Sequence, residues 1–317
     1  MKKFKIMGRK ERNSMENIDQ ILSHFTSENP LDWGNEKHVR IVMACLVNAV
    51  YIISETEEAT PWYESFHFSR HENILDPTTH HILGVIFKFN EVRSDHLSLE
   101  KTPLYVVALR GTQITSQRDI EDCSKIVFGI LYDSKRVIET VQFVERLMNV
   151  ENIQNKDRIW WAGHSLGAAV TTCSIIKMNQ NGEEYKPQTF LFNPPFGAHI
   201  LGNLIDNTRL LPITPFFPTV VFVRFVLNIF RRPKPLREWI PNLFVNPNDH
   251  ICGGFIGHFE NRKNIVNFNN NHQWDYVELL RSARLVKHHH TYNTLEAHGI
   301  LQWCQYRYHM ECKTIHE

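Results

Sequence analysis

The sequence contains no Cys-x-x-Cys pair and no short cluster of His and Cys at metal-ligand spacing. Its six cysteines, Cys45, Cys123, Cys173, Cys252, Cys304 and Cys312, are scattered. That pattern argues against a disulfide framework and a zinc site, and predicts reduced thiols in an intracellular, cytoplasmic protein. A dominant charge is also lacking: the formal net charge is +1 and the pI about 7.8. Without a global basic field, nucleic acid is not expected as a partner. No internal repeat and no long linker break the 317 residues, which are 42% hydrophobic and 22% charged, so one large domain is expected after a loose leader at 1–34. The amino terminus is basic but runs into polar and acidic residues rather than an apolar core, so no secretory signal is expected. An uninterrupted membrane span is missing as well. The most apolar long stretch, Leu210 to Phe230, carries Pro212, Pro215, Pro218 and Arg224. It reads as a buried or lid-like helix, with peripheral membrane contact through 210–234 as the alternative, since Arg231, Arg232 and Lys234 follow it.

What is present is a serine turn. Ile159-Trp-Trp-Ala162 is a short apolar run, Gly163-His-Ser-Leu-Gly167 follows, and a helix-forming segment continues to Met178. The order predicts strand, sharp turn, helix. Gly163 and Gly167 would let strand and helix approach closely and leave Ser165 exposed at the tip, where a serine can act as a nucleophile.

The surrounding pattern alternates strands and helices. Val39, Val42, Met43, Leu46, Val50 and Ile53 recur at helical spacing and predict an amphipathic helix over 35–54. Trp62, Tyr63, Phe66 and Phe68 read as core or groove wall. Strands are expected at Ile82–Phe89, Leu104–Leu109, Ile159–Ala162, Thr189–Phe192 and Asn242–Val245, and crossover helices at 133–148 and 166–178. The second strand runs into the turn Arg110-Gly-Thr-Gln113, at the edge where open α/β sheets place ligands. A further helix is expected at 274–286, and His288-His-His290 reads as a solvated loop, because consecutive residues do not share a face that could hold a metal. The fold class is therefore α/β, with a mostly parallel central sheet and helices on both faces.

A serine hydroxyl needs a base to take its proton, a carboxylate to orient that base, and donors for the oxyanion. In α/β-hydrolases these follow in the order Ser, Asp or Glu, His on loops at the carboxyl edge of the sheet. Ser165, Asp249 and His298 satisfy that order, and Asp249 follows the strand-like Leu243-Phe-Val245. Asp206 and Asp275 are competing carboxylates, neither with such a strand before it. His250 is a rival base, but a side chain adjacent to Asp249 points away from it.

Five ordered motifs carry a resemblance: Ala108-Leu-Arg-Gly-Thr112, Ala162-Gly-His-Ser-Leu-Gly167, Phe190-Leu-Phe-Asn-Pro-Pro-Phe196, Val245-Asn-Pro-Asn-Asp-His-Ile-Cys252 and Glu296-Ala-His-Gly-Ile-Leu-Gln-Trp303. Together they resemble the class 3 lipase group of α/β-hydrolases, in particular its plant branch of small lipase-like proteins, some labelled GDSL esterases. The resemblance covers about Asp32 to Trp303. It implies Ser165 as nucleophile, Asp249 as orienting acid, His298 as base, and Thr112 with the Leu166 backbone N–H as oxyanion donors. It also implies an α/β-hydrolase fold, an ester substrate, and neither cofactor nor metal. The chain departs from that pattern at Pro194-Pro195-Phe196, at Ile251-Cys252, and in an apolar insertion or lid at about 197–240. These departures fall where an acyl groove would be. The expected function is a serine ester hydrolase on an acyl lipid, with Phe66, Phe192, Phe196 and 210–230 lining the groove. The alternative is a catalytically idle lipase-fold binding module.

Overall fold

Trp160 and Trp161 are adjacent in sequence and face opposite sides of the sheet, each inside a different hydrophobic core. That alternation, repeated along every central strand, is what a sheet covered on both faces requires. The computed structural model describes residues 18–26, 28–56, 62–76, 79–90, 102–111, 131–181, 184–196, 233–260, 276–288, 294–306 and 310–316. Thr112, Asp206, Asp275 and the apolar segment at 197–232 lie outside the described residues.

Among the described residues eight strands form one sheet: β1 (Phe68–Leu75), β2 (Ile82–Phe89), β3 (Tyr105–Leu109), β4 (Ile159–His164), β5 (Thr189–Phe192), β6 (Asn242–Val245), β7 (Ala283–His288) and β8 (Met310–Ile315). They lie side by side in chain order. β3 to β7 run parallel, with Val107 beside Trp161, Gly163 beside Leu191, and Phe192 beside Phe244. β1, β2 and β8 are antiparallel additions at the two edges. The chain is thus an α/β protein with a mostly parallel sheet.

Among the described residues the helices that position the site and core are α1 (Glu36–Thr56), α2 (Lys135–Val150), α3 (Leu166–Met178), α4 (Gly254–Glu260) and α5 (Thr294–His298). Parallel crossovers are right-handed, and here the strand order always advances in one direction, so successive crossover helices fall on the same face. Accordingly α2 and α3 share a core with Val107, Trp161, Leu191 and Leu243. Ser134 begins α2, its Oγ accepting the Val137 N–H. The opposite face is covered by α1 and by the 3₁₀ turn Ile300–Cys304, packed on Ala162, Phe192, Phe244 and Val286.

The structure differs from the sequence expectations in several places. The 35–54 helix is not amphipathic: residues 38–50 of α1 are buried without a break. Its outer side is covered by residues of the expected leader, with Ile18 and Ile21 buried and Phe25 edge-on to His38. α1 is also the only helix among the described residues long and apolar enough to cross a membrane, and it is a core helix. Over 274–286 no helix forms among the described residues. A 3₁₀ turn at Tyr276–Leu279 leads into β7, whose Leu285 and Val286 serve opposite cores between β6 and β8. His288 ends β7, buried and edge-on to Trp303 at 5.6 Å, so it is not in a solvated loop. Phe66 and Phe192 pack within the α1 core rather than along a groove, Phe192 stacking on Phe244 at 4.6 Å. Phe196 is half-buried against Phe255.

Candidate active site at the carboxyl edge of the sheet

β4 ends at His164, and the chain reverses into α3 at a single residue, Ser165, whose φ of 53° lies in the left-handed region. A serine there is strained by about 1 kcal/mol or more, which the flanking packing must offset. Two glycines make that packing possible. A side chain on Gly163 would meet the Gly167 carbonyl oxygen at 2.6 Å, and one on Gly167 would meet the Leu109 and Arg110 carbonyl oxygens at 2.5 Å. The Ser165 N–H donates to the Phe192 carbonyl at 2.9 Å, tying the turn to β5. Its side chain makes no capping bond to α3, so the hydroxyl is directed elsewhere.

The hydroxyl meets His298. Ser165 Oγ lies 2.9 Å from His298 Nε2, and His298 Nδ1 lies 2.8 Å from Asp249 Oδ2. A carboxylate accepts, so Nδ1 carries the proton and Nε2 is left to accept from Ser165. His298 is the last residue of α5 and Asp249 sits in the turn after β6. The structure therefore brings together three of the residues singled out from the sequence. The rival His250 is exposed.

Asp249 is fully buried but well supplied with donors. Its Oδ1 accepts the Ile251 N–H at 2.9 Å, and its Oδ2 also accepts from Asn193 Nδ2 at 2.7 Å. Burial alone pushes its carboxyl upward. The hydrogen bonds and charge from His298, the Cys252 thiol and the Ile251 N–H outweigh that and hold it below the usual carboxylate value. The Cys252 thiol is pushed well up by burial and by Asp249, so it stays protonated as a donor.

Buried amides fix the loops that carry Asp249 and His298. Asn193, at the end of β5 with φ 45°, donates to Asp249 and to the Ala297 carbonyl at 2.9 Å, and accepts from Trp303 Nε1. Gln302 donates to the Ala297 carbonyl at 2.6 Å and the Gly299 carbonyl at 2.8 Å, and accepts from Asn246 Nδ2 at 2.7 Å. A third contact comes from the serine turn itself: His164 Nε2 lies 2.7 Å from the His298 carbonyl oxygen, with Tyr51 Oη 2.7 Å from its Nδ1. Burial, then the charge of the neighbouring His298, push His164 down to about 3, so it is neutral. The sequence reading did not single out Tyr51, His164, Asn193, Asn246 or Gln302. All but Tyr51 stood in motifs that could have drawn attention: His164 inside the pentapeptide, Asn193 ahead of two prolines, Asn246 just before Asp249, and Gln302 shortly after His298.

Leu166 is the first residue of α3, so its N–H is among those a helix leaves without an intrahelical acceptor. Thr112 falls just past the last described residue of its turn, Gly111. Among the described residues no three His, Cys, Asp or Glu side chains converge to hold a metal ion. A cavity of about 830 Å³ opens toward the amino ends of β4–β7, lined by Trp33, Lys37, Arg40, Phe190 and Arg284, and none of the serine-site residues borders it.

No family model matches the chain. It is similar to a curated protein. That relative, from Arabidopsis thaliana, is named GDSL esterase/lipase and is 28% identical over 285 residues, which cover 75% of this chain and 75% of the relative. No Gly-Asp-Ser-Leu run occurs in this sequence; Ser165 stands in Gly163-His-Ser-Leu-Gly167.

Proposed function

We propose that the chain is a serine carboxyl-ester hydrolase of the α/β-hydrolase fold and class 3 lipase type, working through an acyl-enzyme on Ser165. The observation that carries this reading is the hydrogen-bonded chain from Ser165 Oγ through the His298 ring to the buried Asp249 carboxylate, at 2.9 and 2.8 Å. The likeness to a protein named esterase/lipase agrees with it at family level.

The chemistry follows from the tautomer. Ser165 Oγ attacks the ester carbonyl carbon as its proton passes to His298 Nε2, and Asp249 stabilises the imidazolium. The carbonyl oxygen becomes an oxyanion held by the Leu166 N–H, at the positive end of α3, and by Thr112. Collapse expels the alcohol, which takes the proton from Nε2 and leaves the acyl-enzyme. Water then repeats the sequence, giving the acid and restoring Ser165. The apolar composition of 210–230 favours an acyl lipid ester as substrate.

Labelling with a fluorophosphonate probe, together with p-nitrophenyl esters of increasing chain length, tests this reading. The expected result is stoichiometric labelling that Ser165→Ala abolishes, with a loss of about 10⁴ to 10⁶ in kcat. An unlabelled wild-type protein, or a Ser165→Ala variant that keeps most of the activity, would overturn it in favour of a binding module.

A further inference from the structure

The pentapeptide places His164 next to the serine, yet its side chain does not face the reacting atoms. It lies on the α1 side of the sheet, buried, with its ring 5.1 Å from that of His298 and edge-on to Tyr51. Three contacts of 2.7 Å run through it: Gly111 N to Tyr51 Oη, Tyr51 Oη to His164 Nδ1, and His164 Nε2 to the His298 carbonyl oxygen.

The direction of every proton in this chain is determined by chemistry. A peptide N–H can only donate, so Gly111 gives its proton to the Tyr51 oxygen. A carbonyl can only accept, so His164 Nε2 carries a proton. In the neutral ring Nδ1 must then accept, and Tyr51 donates its own hydroxyl proton there. All three bonds point the same way, from the turn after β3 to the loop after α5. Aligned bonds polarise one another, which strengthens the run as a whole.

The two ends of the run matter for the reaction proposed above, on which this inference rests. Gly111 precedes Thr112, and its backbone packs against the Ser165 Cβ, since a side chain there would meet that atom at 2.7 Å. His298 is the residue whose Nε2 faces Ser165. We propose that Tyr51 and His164 are positioning residues that join the oxyanion turn to the base loop through one oriented hydrogen-bond chain, so that the two move as a unit relative to Ser165.

The consequence differs from that of a structural bond. If the turn and the base loop lose their common register, the oxyanion donors and the base cannot both be in place at the moment of attack. Turnover then falls while ground-state binding of a short ester, which does not require that register, changes little.

The experiment compares Tyr51→Phe, His164→Gln and His164→Ala with the wild-type chain and Ser165→Ala. Active sites are counted by fluorophosphonate labelling taken to completion, and kcat per labelled site and KM are measured on a short p-nitrophenyl ester. Tyr51→Phe and His164→Ala are expected to lose about tenfold to a hundredfold in kcat per labelled site, with KM within about threefold of wild type. His164→Gln keeps a neutral donor toward the His298 carbonyl and is expected to recover part of that loss. Unchanged kcat per labelled site in Tyr51→Phe, with only a lower melting temperature, would overturn the positioning role and leave the hydrolase reading standing. A wild-type chain that does not label would overturn both. Should His164→Ala not fold, Tyr51→Phe and His164→Gln decide the matter, since neither removes side-chain volume on that scale.

Discussion

At the carboxyl ends of β4–β7 the chain buries Asp249, Asn193, Asn246 and His164 and gives each a hydrogen-bond partner; toward the amino ends of the same strands it leaves a cavity of about 830 Å³. The cavity has aromatic walls in Trp33 and Phe190 and a buried cation, Arg40, which burial pushes down to about 10 and which donates to the Trp303 and Gln305 carbonyls. Among the described residues no serine or histidine lines it. The difference teaches that volume alone is a poor guide to chemistry. Buried polar groups cost free energy unless every one is paired, so a dense, fully paired cluster is where the chain sustains an arrangement that core packing does not need.

That contrast can be broken or sharpened by experiment. The largest effect is expected from Asp249→Asn, which preserves shape but removes the acceptor that fixes the His298 tautomer; kcat should fall by about 10⁴ with the fold retained by circular dichroism. Asn193→Ala should come next. It strips donors from Asp249 and Ala297 and leaves the Trp303 N–H without its acceptor, for a loss of about 1 to 3 kcal/mol in denaturant unfolding and about tenfold or more in kcat.

A smaller effect, on stability alone, concerns pH. His164 is held down at about 3 against an ordinary 6.5, so as pH falls below 6.5 the unfolded chain takes up a proton that the folded chain refuses. Its contribution is complete above pH 6.5 and is lost progressively toward pH 3. Wild type and His164→Gln should therefore converge in melting temperature between pH 7 and pH 4, and parallel curves would contradict this. The smallest effect is expected at the amino end. Lys37→Ala, which removes a cation 3.9 Å from the Tyr306 ring, should cost at most about 1 kcal/mol and leave kcat within about twofold. A large loss of kcat there would erase the distinction between the two ends.

Much of the sheet was legible because its central strands are short apolar runs, and β2 to β6 stand close to where those runs predict them. The edges were not. β8, Met-Glu-Cys-Lys-Thr-Ile, is half-buried at its ends and exposed between them, and β1 carries Arg70 and His71 at its exposed positions. Such strands are held by backbone ladder bonds and polar outward faces, which leave little hydrophobic signal. β7 was misread because Ala283 to Val286 fits a helical spacing as well as an alternating one, and only its place between β6 and β8 decides.

The sequence by itself determined the serine turn, because Gly163, Ser165 and Gly167 act within a few residues of one another, and it determined the chain order of Ser165, Asp249 and His298. Only the tertiary structure decided what surrounds them. Asn193 meets Asp249 across 56 residues, Tyr51 meets His164 across 113, and His164 meets the His298 carbonyl across 134. A hydrogen bond between residues that far apart leaves no periodicity and no motif in the chain. It exists because parallel strands in sequential order bring their carboxyl ends to one edge, where burial obliges each polar group to find a partner.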